Sequence, residues 1–147
     1  MVTDLNNINE FYTMKGYERI QMDELTNAME DYLEMIYRLL HTEPCVRINE
    51  LAEKLHVKPS SASKMVQQLQ AAGYIDFQKY GYISATEKGT KTGSYLLHRH
   101  RVLHDFLCLL NHSDNELEQV EKIEHFINKE TICNLELLTR NLTADYS

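Results

Sequence analysis

Apolar residues recur every three or four positions along much of this chain, which is the spacing of one buried helical face. The first such stretch covers residues 25–41, where Thr26 or Asn27 is suited to cap the start of a helix. Its apolar positions are Met29, Leu33, Ile36, Tyr37 and Leu40. The pattern predicts an amphipathic helix that packs on a core through this face.

Two shorter helices joined by a tight turn are predicted next. Asn49 is a candidate N-cap for residues 50–55. Pro59 opens the second helix and Gly73 ends it, because proline is tolerated in a first turn and glycine readily adopts the left-handed conformation of a helix end. The apolar residues that the pair would bury are Leu51, Ala52, Leu55, Val57, Ala62, Val66 and Leu69. Together they predict a helix-turn-helix.

A pair of strands directly follows this helix-turn-helix. Residues 74–78 and 82–86 alternate in polarity, and the basic, glycine-containing sequence Lys79-Tyr80-Gly81 separates them. This arrangement predicts a β-hairpin. A hairpin in this position is typical of the wing of a winged helix-turn-helix. A brief strand or turn is also expected at Val46-Arg47-Ile48.

The remainder of the chain is predicted to be helical. A long helix starts at about Thr86, a second helix is capped by Ser113 or Asp114, and a final amphipathic helix spans about 129–141. The low content of 5 Gly and 2 Pro in 147 residues also favours helices. The fold is therefore expected to be mainly α.

Charge is distributed unevenly between the middle and the ends of the chain. Residues 44–100 carry eight Lys or Arg and four acids, a net charge of +4, whereas the whole chain is −7 and the rest is therefore −11. This asymmetry is expected if the middle faces phosphates and the flanks do something else. Charge alone would not distinguish a phosphate-binding surface from a solvated surface of mixed charge.

The second helix of the helix-turn-helix has the side chains of a DNA-reading element. Such a helix lies in the major groove, where residues near its N-terminus contact base edges and flanking groups hold phosphates. No acid occurs from residue 58 to residue 73. The candidate DNA contacts, including two at the wing tip, are Lys58, Ser60, Ser61, Ser63, Lys64, Gln67, Gln68, Lys79 and Tyr80. Helical cores with hairpins also serve in protein contacts, which is the alternative.

Six potential metal ligands are scattered along the chain: Asp31, Glu34, His100, Glu121, Glu124 and His125. The first two are three residues apart and the last three are spaced at i, i+3 and i+4, so each set would project from one face of a helix. Acids on a helix are usually only solvated, but packing around a common core could bring all six together. Two divalent cations would then neutralise the four carboxylates, and ligation by oxygen without thiolate suits Mn²⁺.

Four segments together carry a resemblance to a known family. They are Asp31-Tyr32-Leu33-Glu34-x-Ile36-Tyr37, Lys58-Pro59-Ser60-Ser61-x-Ser63-Lys64-Met65-Val66, Arg99-His100, and Glu121-x-Ile123-Glu124-His125. The chain resembles the diphtheria toxin repressor family over about residues 26–141, and specifically its manganese transport regulator branch. The resemblance implies a repressor of metal-uptake genes in which the six residues above bind a cluster of two Mn²⁺ per subunit. It also implies a homodimer on double-stranded operator DNA.

Three parts are expected along the chain. Residues 1–24 form an N-terminal arm in which apolar residues show no sustained periodicity, and its role is unassigned. Residues 25–95 form a winged helix-turn-helix DNA-binding domain, and residues 96–147 form an all-helical domain for dimerisation and metal binding. No apolar run approaches the roughly 18 residues of a membrane span and no signal peptide is evident, so we expect a cytoplasmic protein without membrane partners.

Two alternatives to a manganese-activated repressor remain open. One is an iron-responsive repressor of the same family, and the other is a metal-independent winged-helix regulator whose acidic C-terminal half contacts proteins. An enzyme with a small-molecule substrate is not expected, since the chain has neither an HExxH motif nor paired Glu-x-x-His motifs. His104, one turn beyond His100, is expected to be an exposed histidine rather than an ancillary ligand.

Overall fold

The computed structural model describes residues 25–78 and 81–145, so the N-terminal arm (1–24) and the wing-tip residues Lys79 and Tyr80 lie outside the described residues. The described part is mainly α-helical with one small antiparallel sheet, which confirms the predicted fold class. In chain order the elements are α1 (Asn27–Leu40), β1 (Val46–Arg47), α2 (Ile48–Leu55), α3 (Pro59–Ala71), β2 (Ile75–Gln78), β3 (Tyr82–Ala85), α4 (Glu87–Asn111), α5 (Leu117–Ile123), a 3-10 turn (Glu124–Phe126) and α6 (Lys129–Asp145).

Helix α1 lies at the centre of the N-terminal half. Thr26 caps it as predicted, because its Oγ1 accepts a hydrogen bond from the Met29 backbone N–H at 3.1 Å. The apolar face buries Leu33 and Ile36 completely. This face packs on α2, α3 and β3, and α1 also packs extensively against α4. Helix α1 therefore connects the helix-turn-helix to the second half of the chain.

The helix-turn-helix is formed by α2 and α3. Helix α2 begins at Ile48, so the prediction that Asn49 caps it is wrong. The chain enters α2 directly from β1, and Arg47, in extended conformation, takes the N-cap position without a side-chain cap bond. Pro59 occupies the first turn of α3, and Gly73 follows the helix with φ +86°, as expected for a left-handed terminator.

The wing is the hairpin of β2 and β3, and β1 pairs with β3 to give a sheet of order β1-β3-β2. Ile83 pairs with Val46 on one side and with Phe77 on the other. Val46, Ile75 and Ile83 point into the core that α1, α2 and α3 share. The short strand or turn predicted at Val46 is thus the third strand of the sheet.

Helix α4 is 25 residues long and passes through two hydrophobic cores. Leu96, in its first half, belongs to the core of the winged helix-turn-helix. The second core contains Val102, Leu103, Leu107, Val120 and Ile132, which come from α4, α5 and α6. His100 lies between these two groups of apolar residues in the chain, at the boundary between the two halves. No helix in the described part of the chain is long and apolar enough to cross a membrane.

The region after α4 departs from the predicted helix boundaries. Helix α5 starts at Leu117 with Glu116 at its N-cap, so the predicted caps Ser113 and Asp114 are wrong. After Ile123 the backbone tightens into the 3-10 turn, rather than continuing the same helix. Consequently Glu121 does not share a regular helix face with the two residues that follow Ile123. Helix α6 extends to Asp145, beyond the predicted end.

Two glycines let α4 approach the N-terminal half closely. A Cβ atom at Gly93 would lie 2.7 Å from the Cβ of Tyr37 in α1, which is closer than real Cβ contacts. A Cβ atom at Gly89 would overlap the backbone carbonyl oxygen of Tyr74. Thr86 holds the start of the helix in place, since its Oγ1 donates to the Gly73 carbonyl at 2.7 Å and accepts from the Gly89 N–H at 3.1 Å.

We predict that Gly89→Ala lowers the free energy of unfolding by about 2–3 kcal/mol, because the backbone of Tyr74 must move to admit the methyl group. The gain of roughly 0.5–1 kcal/mol from helix propensity is smaller than this loss. Urea unfolding measures the change. Thr90→Ala is the control, since Thr90 is exposed on the same helix. Equal stability of Gly89→Ala and the wild type would contradict the close approach.

Candidate metal centre and nucleic-acid interface

Four of the predicted ligands form a first group at the boundary between the two halves. The group consists of Glu34, His100, Glu121 and Glu124, whose ligand atoms all lie within 4.8 Å of one another. His100 Nδ1 lies 2.9 Å from Glu124 Oε2 and 3.6 Å from Glu121 Oε1. Glu124 is only 1% exposed, and Glu34 and His100 are also buried. The Glu121 side chain remains half exposed, so this group has a solvent-facing side.

A second group consists of Asp31, Glu124 and His125. His125 Nε2 lies 2.9 Å from Asp31 Oδ1 and 4.0 Å from Glu124 Oε1. Glu124 belongs to both groups, and its two oxygens face different imidazoles: Oε2 faces His100 and Oε1 faces His125. The structure therefore brings all six predicted residues together, around one shared carboxylate.

Different local structures position the six predicted ligands. Asp31 and Glu34 lie three residues apart on α1, yet they fall in different groups. His100 comes from the middle of α4 and Glu121 from α5. The 3-10 turn places Glu124 inside the cluster and His125 beside α1. One side of the cluster thus belongs to the N-terminal half, which contains the helix-turn-helix, and the other to the C-terminal half.

Burial and repulsion act on the carboxylates of the first group. The pKa of Glu34 is raised to about 7, first by burial and then by the negative charge of Glu124, and Arg38 only partly offsets these effects. Burial and the same Glu124 charge also raise the pKa of Glu121. Glu34 Oε1 is buried without a hydrogen-bond partner among the described residues. An unpaired buried acceptor of this kind is costly to the fold unless a cation or proton satisfies it.

Carboxylate neighbours raise the pKa of both histidines. The hydrogen bond to Glu124 raises the pKa of His100. Hydrogen bonds to Asp31 and Glu30 raise the pKa of His125 to about 10. Each imidazole must lose the proton at its ligating nitrogen before a metal ion can bind there. Protons and a metal ion therefore compete for the same positions.

This donor set fits a hard or borderline divalent cation. It offers carboxylate oxygen and imidazole nitrogen, and no cysteine belongs to either group in the described part of the chain. The orphaned oxygen of Glu34 and the mutual repulsion of the carboxylates are the features that a cation would relieve. Glu124 presents one oxygen to each group, so its carboxylate is available to both.

Two charged residues beside this centre were not among the predicted site residues. Glu30 Oε1 accepts a hydrogen bond from His125 Nδ1 at 2.9 Å. Arg99 donates to both oxygens of Glu30, with N···O distances of 3.3 and 3.4 Å, and is itself 4% exposed. Glu30 and Arg99 are separated by 69 positions in sequence, so no local pattern reveals their contact.

His104 belongs to neither ligand group. Its Nε2 accepts a hydrogen bond from the Glu116 backbone N–H at 3.3 Å, and the Cys108 Sγ lies 3.7 Å from the same nitrogen. The residue is half-buried rather than exposed as predicted, because the turn before α5 folds back over it. It thus holds the α4–α5 connection in place.

Helix α3 presents a polar face to solvent. Ser60, Ser61, Lys64, Gln67 and Gln68 are exposed, and Ser63 is half-buried. An open groove of about 320 Å³ is lined by Ser60, Ser61, Ser63, Lys64 and Gln67. Lys58 is exposed at the N-cap of the helix. These side chains can donate to phosphates and to base edges.

Arg47 places an exposed positive charge beside the wing. Its guanidinium lies 4.9 Å from the ring centroid of Tyr82, and Nη2 donates to the Tyr82 hydroxyl at 2.5 Å. No carboxylate within the described ranges lies within ion-pair distance of Arg47, so its charge is available to an anion such as a phosphate. From the sequence, Arg47 is only one positive charge among eight in residues 44–100, because its pairing with β3 is not visible there.

Helix α1 of the winged helix-turn-helix shares a buried cluster of carboxylates and imidazoles with the C-terminal helices. This architecture is that of a metal-responsive DNA-binding regulator. Residues 24–83 match the model of the iron dependent repressor N-terminal DNA-binding domain. Residues 86–146 match the iron dependent repressor metal-binding and dimerisation domain. The chain belongs to the iron-dependent repressor family, the diphtheria toxin repressor family indicated by its motifs.

Relatives with established names agree with this assignment. The HTH-type transcriptional regulator MntR of Shouchella clausii (strain KSM-K16) is 41% identical over 108 residues, which is 73% of this chain and 76% of that protein. The MntR of Listeria monocytogenes serotype 4a is 40% identical over the same shares of both chains. These proteins are transcriptional regulators rather than enzymes.

Solved structures of regulators share the fold. The metal-dependent transcriptional regulator MtsR matches with a TM-score of 0.69 and 28% identity, over 78% of this chain and 54% of that one. The manganese regulator SloR matches with a TM-score of 0.66 and 28% identity, over 76% of this chain and 53% of the SloR chain. The matched region thus spans about half the length of these solved chains. The protein is accordingly a metal-dependent DNA-binding repressor of this family.

We predict that the metal-free protein loses stability as the pH rises from 7 to 9. The folded pKa of His125, at about 10, lies above its unfolded value, so the stabilisation by its charged contacts is complete below the unfolded pKa of roughly 6.5 and disappears as the pH approaches the folded value. Urea midpoints measured with a chelator should fall over this range in the wild type and fall less in His125→Gln. The same slope in both proteins would contradict this role of His125.

Proposed function

We propose that this protein is a manganese-activated, homodimeric transcriptional repressor that controls genes for manganese uptake in the cytoplasm. Residues 25–95 would read double-stranded operator DNA, and residues 96–147 would dimerise and, together with α1, hold the metal. The proposed ligands are Asp31, Glu34, His100, Glu121, Glu124 and His125, with two Mn²⁺ per subunit.

The observation that carries this proposal is the position of Glu124 between the two ligand groups. Each group includes one acid from α1 and at least one residue from the C-terminal half. A cation in either group is therefore bound by both halves of the molecule. Because the Glu124 carboxylate faces both imidazoles, two cations would share it as a bridging ligand.

Metal binding is linked to DNA binding through α1. The metal supplies positive charge that neutralises the buried carboxylates and joins them. Helix α1 packs on α2, α3 and β3, so fixing α1 against α4 and α5 also fixes the recognition helix relative to the dimerisation domain. In a dimer this sets the separation of two recognition helices, which must match two half-sites about one helical turn apart. By linkage, operator DNA raises metal affinity by the same factor.

The choice of manganese is supported by ligand chemistry and by the relatives. The ligand groups contain only carboxylates and imidazoles, and hard oxygen donors suit Mn²⁺ better than the softer metals. The relatives from Shouchella clausii and Listeria monocytogenes carry the name MntR, and one related structure is described as a manganese regulator. An iron-responsive repressor uses the same fold, so direct competition between metals is the test.

DNA reading is assigned to the polar face of α3. The serines at its N-terminus and Lys64 would hold phosphates or base edges, and Gln67 and Gln68 can pair with adenine. All of them except the half-buried Ser63 are exposed, with Lys58 at the helix start. Lys79 and Tyr80 are proposed to contact the DNA backbone or minor groove beside the wing. Metal-dependent changes in operator affinity test the scheme as a whole.

We predict that wild-type protein binds operator DNA at least tenfold more tightly with saturating Mn²⁺ than with chelator, and that Glu124→Gln abolishes the difference, since it removes the charge shared by both groups. Gel-shift or fluorescence anisotropy titrations measure the affinity. Glu118→Gln, on the exposed side of α5, is the matched control and should respond as the wild type does. An unchanged Mn²⁺ response in Glu124→Gln would exclude this metal switch.

At equal free concentrations, Mn²⁺ should raise operator affinity more than Fe²⁺ or Zn²⁺ does. Stronger activation by Fe²⁺ would support the iron-responsive alternative. If no metal bound with fixed stoichiometry, the metal-independent regulator would be the better description. Operator titrations with each metal decide between manganese and iron, and equilibrium dialysis of the full chain shows whether any metal binds with fixed stoichiometry.

We predict that Lys64→Ala weakens operator binding and lowers the slope of log affinity against log salt by about 1, because one phosphate contact is lost. Its Mn²⁺ affinity should stay at the wild-type value, since Lys64 is exposed on α3 and belongs to neither ligand group. Lys122→Ala, an exposed cation on α5, is the control for loss of charge alone. An unchanged salt slope in Lys64→Ala would remove Lys64 from the interface.

A further inference from the structure

Glu30 connects one nitrogen of His125 to a buried arginine. Its Oε1 lies 2.9 Å from His125 Nδ1, while Arg99 Nη1 and Nη2 approach Oε2 and Oε1 at 3.3 and 3.4 Å. The side chains of Arg99, His125 and Glu30 are 5%, 7% and 17% exposed. The three residues come from α4, the 3-10 turn and α1, so this chain of contacts also joins the two halves.

The chemistry of these contacts determines how His125 can act. An ionised carboxylate only accepts hydrogen bonds, so the hydrogen between His125 and Glu30 must reside on Nδ1. The remaining nitrogen, Nε2, is the one that faces Asp31 and Glu124. Once Nε2 loses its proton, its lone pair points into the second ligand group. A carboxylate behind a ligating histidine fixes its tautomer and ring orientation and increases its basicity.

Arg99 restrains the Glu30 carboxylate, so that Glu30 contacts His125 and does not act as a metal ligand. Its paired N–H groups contact both carboxylate oxygens, which is a geometry that restrains the carboxylate plane. Glu30 belongs to neither ligand group, although it immediately precedes Asp31. Both of its oxygens contact Arg99, and Oε1 also contacts His125 Nδ1.

We infer that Glu30, held by Arg99, is a positioning residue that orients His125 so that Nε2 serves as the metal ligand beside Asp31. This inference rests on the proposed function, because it concerns the same metal centre. It assigns to Glu30 and Arg99 a part in metal affinity without contact between either residue and the metal.

The test compares Mn²⁺ binding to the full-length wild type, Glu30→Gln, His125→Ala and the double variant, by counting free Mn²⁺ with electron paramagnetic resonance. Glu30→Gln should weaken the second of the two sites by about 10- to 100-fold. In the His125→Ala background the same change should have little further effect, since residues that act through one another are not additive. Arg99→Lys, which cannot make the paired contact, should weaken the same site to a smaller extent.

A purely structural role predicts a different result. It would lower the urea midpoint and would weaken Mn²⁺ binding by the same factor with or without His125, which would overturn the inference. Wild-type affinity in Glu30→Gln would overturn it as well. The nitrogen coupling of bound Mn²⁺ should lose the His125 contribution in Glu30→Gln and retain it in the control Glu118→Gln. If the wild type itself bound no Mn²⁺, the proposed function would fail together with this inference, whereas the preceding outcomes would overturn the inference alone.

Discussion

The Glu124 carboxylate is the point on which this structure depends. It is 1% exposed, faces His100 with one oxygen and His125 with the other, and has Glu34, Glu121 and Asp31 as acidic neighbours. Several like charges around one buried carboxylate are unfavourable unless protons or cations compensate. The raised pKa of Glu34, at about 7, is a direct consequence. In the proposed function, the site couples the binding of cations to contacts between the two halves of the protein.

Helix α4 joins the two halves by side-chain packing, in addition to the charged contacts of the cluster. It contributes Leu96 to the N-terminal core and Val102 and Leu103 to the C-terminal core, and it carries His100 and Arg99 between them. Gly93 lets it lie directly against Tyr37 of α1. A ligand set on α1, α4 and α5 thus acts on elements that are already in contact. In the proposed function, small changes in the cluster need only adjust an existing interface, and α1, which packs on the helix-turn-helix, would transmit them.

Local patterns predicted much of this molecule, and contacts distant in sequence account for most of what they missed. Pro59 and Gly73 mark the recognition helix because their backbone preferences act locally. The prediction of an N-cap at Asn49 is wrong because β1 feeds directly into α2, which is decided by the sheet. The 3-10 turn at Glu124 interrupts a regular apolar period, so periodicity could not predict it. The six proposed ligands were chosen by their spacing and by the family resemblance, whereas their division around Glu124 and the Glu30–Arg99 contact required the fold.

The most direct test of the central claim is the location of manganese in crystals of the full chain. Anomalous scattering from Mn²⁺ should give two peaks per subunit, one on each side of the Glu124 carboxylate, with the first near His100 and the second near His125. The Asp31 and Glu34 side chains should reach different peaks. A single peak, or peaks that do not contact Glu124, would contradict the proposal that one buried carboxylate joins two metal ions to both halves of the repressor.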